Sequence, residues 1–503
     1  MKQQAFNPYL PLSVYIPDGE PHVFGDRVYV YGSHDKEAGQ RFCMLDYEVW
    51  SAPVDDLSDW SCKGISYDKT LDPDQDENGR YKDMYAPDVV QGNDGRYYLY
   101  YALAGGAFTG PIHVAVSDAP DGPFTYHGCV QNADGSPYWR NITFDPGVIN
   151  DNGTIRLYYG WALAAPQLVT GSKVKQALMR KMMPVVEQKM FDKTKAQIKA
   201  EPEGIQGAFT VTLADDMLTV MSEPKRIVPG QVDALGGPYE GHAFFEASSI
   251  RKIGDTYYFV YSSEVNHELC YATSKYPDRD FSYRGVIVSN GDIGYQGRKP
   301  EERAAMTGNN HGGLVCIKDQ WYIFYHRQTH KTCFSRQGCA EPIRVAADGS
   351  IAQVPMTSCG LNGGPLVAEG TYPAVIACVL YKGSMPHIDQ RQQYSGIPYI
   401  TNEGETRYIA DVVDQTVIGY RYFNYGSDQA EIEISLSTRG GEGRIFVREE
   451  EHGKNLGQIQ VTSGEDWHEN KAHIKMPKAV GGMYLVYEGQ SPLDLLEISL
   501  HRG

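Results

Sequence analysis

Five copies of one short unit constrain this chain's fold more than any other feature of its sequence. Asp26–Asp35 reads DRVYVYGSHD, Asp94–Leu103 DGRYYLYYAL, Asn152–Trp161 NGTIRLYYGW, Asp255–Ser263 DTYYFVYSS and Asp319–Gln328 DQWYIFYHRQ. Each is an Asp or Asn turn signal followed by an alternating, tyrosine-rich strand. A β unit repeated about four to eight times predicts a propeller, with one blade per copy. The copies start at uneven intervals, so the blades carry insertions, the largest between the third and fourth.

Nine to eleven residues before each aromatic or branched run stands an ionisable side chain: Asp18 (IPDGEPHVF), Asp88 (YAPDVVQ), Asp145 (FDPGVIN), Glu246 (FFEASSI) and His311 (NNHGGLV). The first strand of a propeller blade lines the central axis, so these positions predict one ring around the channel mouth. Buried charges are costly unless paired or used, and packing does not account for such a ring. Glu246 stands among Phe244, Phe245 and Ala247, which predicts partial desolvation, a raised pKa and general-acid work.

At 503 residues the chain exceeds one ordinary core, so two domains, or one large β domain with an appendage, are expected. Its 36 tyrosines and 53 glycines suit many short strands and tight turns. A net charge of −17 argues against nucleic acid or anionic membrane as partner and leaves a neutral oligosaccharide unaffected. Nine cysteines without a CxxC pair argue against a zinc ribbon or redox dithiol, and for free thiols in a reduced compartment. The N-terminus, MKQQAFNPYLP, has no apolar signal core and no stretch approaches a membrane span, so the expected location is cytoplasmic.

Residues 1–358 are assigned to the propeller. Within them, 171–200 break the β pattern: Val174, Ala177, Leu178 and Met182, then Met190 and Phe191, predict one or two helices broken at Pro184. Their apolar face is expected to pack on the propeller. After a Gly- and Pro-containing join at Cys359–Leu366, residues 367–503 alternate in short strands. These are Arg407–Asp414, Thr416–Phe423, Ala430–Ser437, Arg444–Glu449, Met483–Glu488 and Leu495–His501, which predict an antiparallel β-sandwich. The expected fold class is all-β, a five-bladed propeller followed by a sandwich that either binds glycan or braces the propeller.

Three chemistries suit an axial ring of acids. Glycoside hydrolysis needs one carboxylic acid and one carboxylate. Asp18 and Glu246 fall on the first and fourth blades, which favours the separation of about 6.5–9.5 Å typical of inverting enzymes. Metal-assisted hydrolysis or lyase chemistry at His311 and the aspartates is the second, with Ca²⁺ a better match than zinc. The third reading is a non-enzymatic propeller that binds a partner such as a glycan through its blade faces, which would not require acids repeated at the axial position.

Pro17-Asp18 ten residues before its strand, Tyr85-Ala86-Pro87-Asp88, Phe144-Asp145-Pro146, Glu246 and His311-Gly312 resemble glycoside hydrolase family 43, over roughly residues 7–355. The resemblance implies a five-bladed propeller of the inverting α-L-arabinofuranosidases, β-xylosidases and arabinanases. It further implies Asp18 as general base, Asp145 as the residue that tunes the acid, Glu246 as general acid, and a calcium ion or water network near His311. No cofactor is implied for the chemistry itself. Asp18 is followed by glycine where the family has proline, and Glu20-Pro21 just behind makes Glu20 a rival base; the spacing to Val28 and Tyr29 favours Asp18. Glu240 lies close before Glu246 but misses the ring position. Arg336 resembles an arginine that reaches the sugar, Asp88 is expected to bind substrate, and Trp161 to wall the pocket. The sandwich is similar in placement to appended modules such as carbohydrate-binding module family 6. The activity expected is release of terminal α-L-arabinofuranose from pentose-containing, xylan-derived oligosaccharides, with β-xylosidase activity as the alternative.

Overall fold

The computed structural model describes residues 4–73, 83–104, 110–164, 173–190, 193–201, 204–390 and 392–503. Five antiparallel sheets follow one another. The first contains Glu20–Phe24, Arg27–Tyr31, Trp50–Pro53 and Ser61–Cys62 (β1–β4), the second Asp83–Gln91, Tyr97–Ala104, His113–Ser117 and Thr125–Cys129 (β5–β8). The third contains Gly147–Asp151, Thr154–Trp161, Gly207–Leu213 and Lys225–Pro229 (β9–β12). The fourth contains Phe244–Ile253, Thr256–Ser263, Glu268–Ser274 and Ser282–Ser289 (β13–β16). Three strands, Leu314–Ile317, Gln320–Gln328 and Arg336–Ile343 (β17–β19), make the fifth. The first strands pack on one another in a closed ring, β1–β5–β9–β13–β17–β1, and a bridge between Gly19 and Gly312 joins the last blade to the first. This is the predicted five-bladed propeller.

The repeated tyrosines explain why the unit recurs. On the second strands, Tyr98, Tyr100, Tyr101, Tyr158, Tyr159 and Tyr261 fill the spaces between blades. Their hydroxyls find buried partners, as in Tyr67–Tyr101 and Tyr138–Tyr159, each 2.9 Å. A tyrosine thus supplies a large apolar face without stranding its polar end.

Strands from Leu366–Val367 to Leu493–Arg502 form two six-stranded sheets around a single aliphatic and aromatic core, a β-sandwich. Its predicted strands are present, and Tyr399–Glu403, Gly457–Val461 and His468–Met476 are additional. Ion pairs and backbone bonds tie the sandwich to the propeller: Arg421 to Asp292 (2.5 Å), Arg407 to Glu37 (2.8 Å) and the Thr307 amide to the Pro386 carbonyl (3.1 Å).

The insertion in blade three contains two helices, Lys173–Met190 (α1) and Lys195–Ala200 (α2). Two expectations are corrected there. Helix α1 runs through Pro184 without a break. Its packed face is Met179, Met183 and Val186, against Val232 and Leu235, whereas Val174, Leu178 and Met182 face solvent. Phe191 lies outside the described residues. All nine cysteines are free thiols. Among the described residues, no helix is long and apolar enough to cross a membrane.

Candidate active site

Hairpin length decides which ring residues reach the channel mouth. Four inner hairpins turn in two residues, Gly25-Asp26, Asn152-Gly153, Gly254-Asp255 and Lys318-Asp319. Asp18, Asp145 and His311 lie six residues before the end of their inner strands and Glu246 seven, and all four line one pocket. The hairpin of blade two is longer, Gly92–Arg96, so the same count along the sequence leaves Asp88 only three residues from the end of β5. Asp88 therefore lies deeper on the axis, outside the pocket lining and fully buried. There it accepts the Val89 and Val148 amides (2.8 and 2.7 Å) and pairs with His22 (2.6 Å). This corrects the expectation that Asp88 binds substrate. Blade two presents Tyr85 and Ala86 to the pocket instead.

Local backbone turns aim the three acids. Asp18 and Asp145 adopt positive φ, 58° and 43°, and so does Ala247 beside Glu246, at 71°. Register shifts in the β13–β14 pairing fall on both sides of Glu246, so the strand bulges there and turns its side chain to the axis. Positive φ is costly for residues other than glycine and persists where the surrounding structure fixes it. The Ala247 amide does part of this fixing, donating to Asp145 Oδ2 at 3.0 Å.

Asp18 is held as an anion. Burial pushes its carboxyl up, but it lies below its ordinary value, with the Arg336 charge the leading cause that opposes burial. Arg336 Nη1 lies 2.8 Å from Asp18 Oδ1. The same guanidinium is gripped by Asp35, with Nε at 2.8 Å and Nη2 at 3.0 Å, and lies over the Phe42 ring. His326 is fully buried; its Nδ1 accepts the Asp18 amide (3.3 Å), so Nε2–H donates to the Asn309 carbonyl (2.7 Å).

Glu246 is the opposite case. Burial and then the Asp18 charge push its carboxyl up to about 8, with Arg336 and Asn309 acting against them. Asp145 is also raised, by burial, then by Glu246 and Asp18. The two carboxyls titrate as a pair that retains a proton at neutral pH. An ionised carboxylate facing a protonated one is the division of labour that acid–base catalysis requires.

Phe42, Tyr85, Phe144, Trp161 and Phe245 wall the pocket, a cavity of 170 Å³. Trp161 meets Phe245 edge to face at 5.7 Å, and Tyr85 leans on Phe144 at 5.6 Å. Asn266, Asn309 and Gln390 add polar groups at the wall. Of the predicted site residues, Asp18, Asp145, Glu246, His311, Arg336 and Trp161 come together here. The rival base Glu20 does not: it lies beneath the pocket, with Oε2 bonded to Ser249 and Arg251. Glu240 is exposed and caps the Gly236 amide.

Sequence reasoning missed Asp35, Phe42, His326, Asn309 and Gln390. Asp35 and His326 stand inside two of the repeated units, where a polar residue at a strand end was a usable signal. Gln390 gave none, because it follows the join and reaches the pocket from the C-terminal part of the chain.

His311 forms the floor, with Nδ1 3.6 Å from Asp145 Oδ2 and Nε2 4.0 Å from Glu20 Oε1. Burial lowers its pKa to about 4, so the ring is neutral at ordinary pH. His311 Nε2 and Glu20 Oε1 are both buried without a hydrogen-bond partner, and ligand atoms of Glu20, His22 and Asp88 all lie within 4.8 Å of one another. Calcium takes about six to eight oxygens at about 2.3–2.6 Å. Here Asp88 is committed to two amides and His22, and Glu20 Oε2 to Arg251 and Ser249. One carboxylate oxygen and one imidazole nitrogen remain, beside a guanidinium. That donor set does not fit calcium; a water bridging the two atoms fits it better. A second trio, His242, Glu268 and Cys270, lies away from the pocket and is satisfied internally, with Glu268 Oε1 accepting from Ser263 (2.6 Å) and Cys270 (3.3 Å).

Comparison with known proteins places this site. The family model for glycosyl hydrolases family 43 matches residues 12–351. This chain belongs to that family. The family 43 enzyme is 42% identical to a xylosidase/arabinosidase of Thermoclostridium stercorarium over 515 residues, 99% of either chain. It is 25% identical over 517 residues to the arabinoxylan arabinofuranohydrolase of Paenibacillus polymyxa, covering 96% of this chain and 70% of that one. A family 43 β-xylosidase/α-arabinofuranosidase from a compost metagenome, solved with xylotriose in a calcium-free form, has a TM-score of 0.51 at 26% identity, over 70% of this chain and 98% of that one. The chain is a glycoside hydrolase of the xylosidase/arabinosidase type.

Proposed function

We propose that this family 43 enzyme is an inverting, exo-acting hydrolase that releases terminal α-L-arabinofuranose from xylan-derived oligosaccharides. One observation carries the mechanism: Asp18 is held ionised while Glu246 is pushed up to about 8 in the same pocket. Glu246 protonates the glycosidic oxygen as the bond breaks. Asp18 takes a proton from the water that attacks the opposite face of the sugar. Asp145, anchored by the Ala247 amide, is assigned the tuning of Glu246 as its partner in the coupled pair, and Glu246 regains its proton from solvent between turnovers. Arg336 keeps the base anionic and fixes its direction.

The exo reading rests on size and closure. A pocket of 170 Å³ is smaller than the roughly 300–1,000 Å³ of sites for drug-sized ligands, and its floor is sealed by His311 and Glu20. It suits one pentose ring walled by aromatics. The relative named an arabinofuranohydrolase supports arabinose, and the relatives named for both activities support β-xylosidase activity as the second reading. Parallel assays on p-nitrophenyl α-L-arabinofuranoside and β-D-xyloside test the choice. The proposal expects the higher kcat/KM on the arabinofuranoside, and a higher value on the xyloside reverses the order. Retention of near-wild-type turnover by both D18N and E246Q overturns the site assignment.

A further inference from the structure

The strand that carries Glu246 at one end carries Arg251 near the other. Arg251 is largely buried, and its guanidinium is fully engaged. Nη2 donates to Glu20 Oε2 at 2.8 Å and to the Pro21 carbonyl at 2.9 Å; Nη1 donates to the Ile250 carbonyl at 2.7 Å; Nε donates to the Leu314 carbonyl at 2.8 Å. One side chain thus joins β1, β13 and β17, the inner strands of blades one, four and five. Four oxygens, three of them backbone carbonyls, surround it. Hard cations are bound by that kind of oxygen set. On the channel floor burial raises the Glu20 carboxyl to about 8 while the Arg251 guanidinium, 2.8 Å away, opposes that rise; both imidazoles, His22 and His311, are held neutral by burial.

The packing around the Glu20–Arg251 pair is tight on the side of Glu20 Oε2. Gly313 has no Cβ because one would fall 2.4 Å from Glu20 Oε2 and 2.7 Å from Ser249 Oγ. Gly312 is likewise required, since a Cβ there would meet the Phe324 carbonyl at 2.0 Å. These two glycines let the His311 segment settle directly onto the Glu20–Arg251 pair. Beyond the Arg251–Glu20 hydrogen bond, Glu20 Oε1 approaches His311 Nε2 at 4.0 Å, and His311 Nδ1 approaches Asp145 Oδ2 at 3.6 Å.

We propose that Arg251 is the built-in cation of the axial channel, supplying beneath His311 the positive charge that a bound divalent ion would otherwise supply. It acts as a positioning residue. Its charge holds Glu20 under His311 and thereby sets His311 against Asp145, and the enzyme needs no metal ion to do so. The kinetic part of this inference rests on the catalytic roles proposed for Asp145 and Glu246. The metal-binding part does not, so the two fail separately.

The test uses the full-length enzyme. After dialysis against EDTA, wild type is titrated calorimetrically with CaCl₂, and its melting temperature is recorded in EDTA and in 5 mM CaCl₂, roughly. The inference expects no binding heat, equal melting temperatures and unchanged kcat. Saturable calcium binding, with a melting temperature lowered by EDTA and restored by calcium, overturns it. In R251M, kcat is expected to fall at least tenfold with KM within about twofold, and added CaCl₂ is expected to recover part of it. Wild-type kcat in R251M overturns the positioning role, as does a loss confined to KM. If R251M does not fold, R251K keeps the charge and decides: kcat within threefold of wild type supports the inference, and a tenfold loss overturns it.

Discussion

Arg336 is the side chain whose removal has the most calculable consequence. Its guanidinium, 1% exposed, lies between Asp18 and Asp35, which are 4% and 1% exposed. Arg336→Met leaves two buried carboxylates facing one another with no cation. Deleting one partner of a buried ion pair costs about 3–5 kcal/mol. Spread over a domain of roughly 350 residues, at an unfolding entropy of about 2.1 cal/mol/K per residue, that loss lowers Tm by about 4–7 °C. Catalysis changes through the base. Arg336 is the first of the charges that hold Asp18 below its ordinary value against burial. A depressed carboxylate contributes stability above its unfolded pKa and loses it as pH falls through its folded pKa. In R336M burial is no longer opposed by Arg336 and both carboxyls shift upward, so the acid limb of kcat/KM moves to higher pH, while the stability deficit is largest above the raised pKa values and shrinks as pH falls and the carboxyls protonate. D35N/R336M removes one surplus charge, so it should regain much of the lost Tm and little of the lost activity. Circular dichroism melts and a pH profile of kcat/KM measure both effects. An R336M protein with wild-type Tm and an unmoved acid limb would refute the reasoning.

Further outcomes follow from the same geometry. Because Glu246 must be protonated to act and its carboxyl is pushed up to about 8, kcat/KM of wild type falls as pH rises through that value; a profile flat to pH 10, roughly, would contradict this assignment. Asp88→Asn keeps an acceptor for only one of the Val89 and Val148 amides, sets its NH2 against the other or against His22 and loses the charge facing His22, so it should cost about 1–3 kcal/mol of stability while KM stays within about twofold. A large rise in KM would restore Asp88 to substrate binding. Trp161→Ala removes part of the aromatic wall and should raise KM roughly tenfold with kcat less affected, as steady-state kinetics on the preferred p-nitrophenyl glycoside would show. Gln390→Ala should raise KM without lowering Tm, since Gln390 lines the pocket from an exposed position; unchanged kinetics would remove it from the site.

The propeller was legible because its information is local. A turn residue and an alternating tyrosine strand are written into each unit, and five units close a ring without any long-range clue. The three acids were legible for the same reason, since each keeps nearly the same distance from its hairpin. Asp88 shows the limit of that count. Three extra residues in the Gly92–Arg96 hairpin shift it down the axis, and a ruler laid along the sequence does not register where a turn absorbs them. Helix α1 shows another limit. Two apolar stripes compete on it, and the one that packs was chosen by the position of Val232 and Leu235 rather than by periodicity. The pairing of Arg251 with Glu20 joins residues 231 positions apart, and the approach of Gln390 to the pocket crosses from one domain to the other. Such contacts depend on how finished elements assemble, so no local pattern announces them.

The account's central claim is that Glu246 protonates the leaving group while a water activated by Asp18 attacks from the opposite face. Proton NMR of the first turnovers on an α-L-arabinofuranoside tests it most directly. The account predicts that β-L-arabinofuranose appears first and then mutarotates. Initial release of the α anomer would contradict it, because retention requires a carboxylate to act as nucleophile instead of activating water.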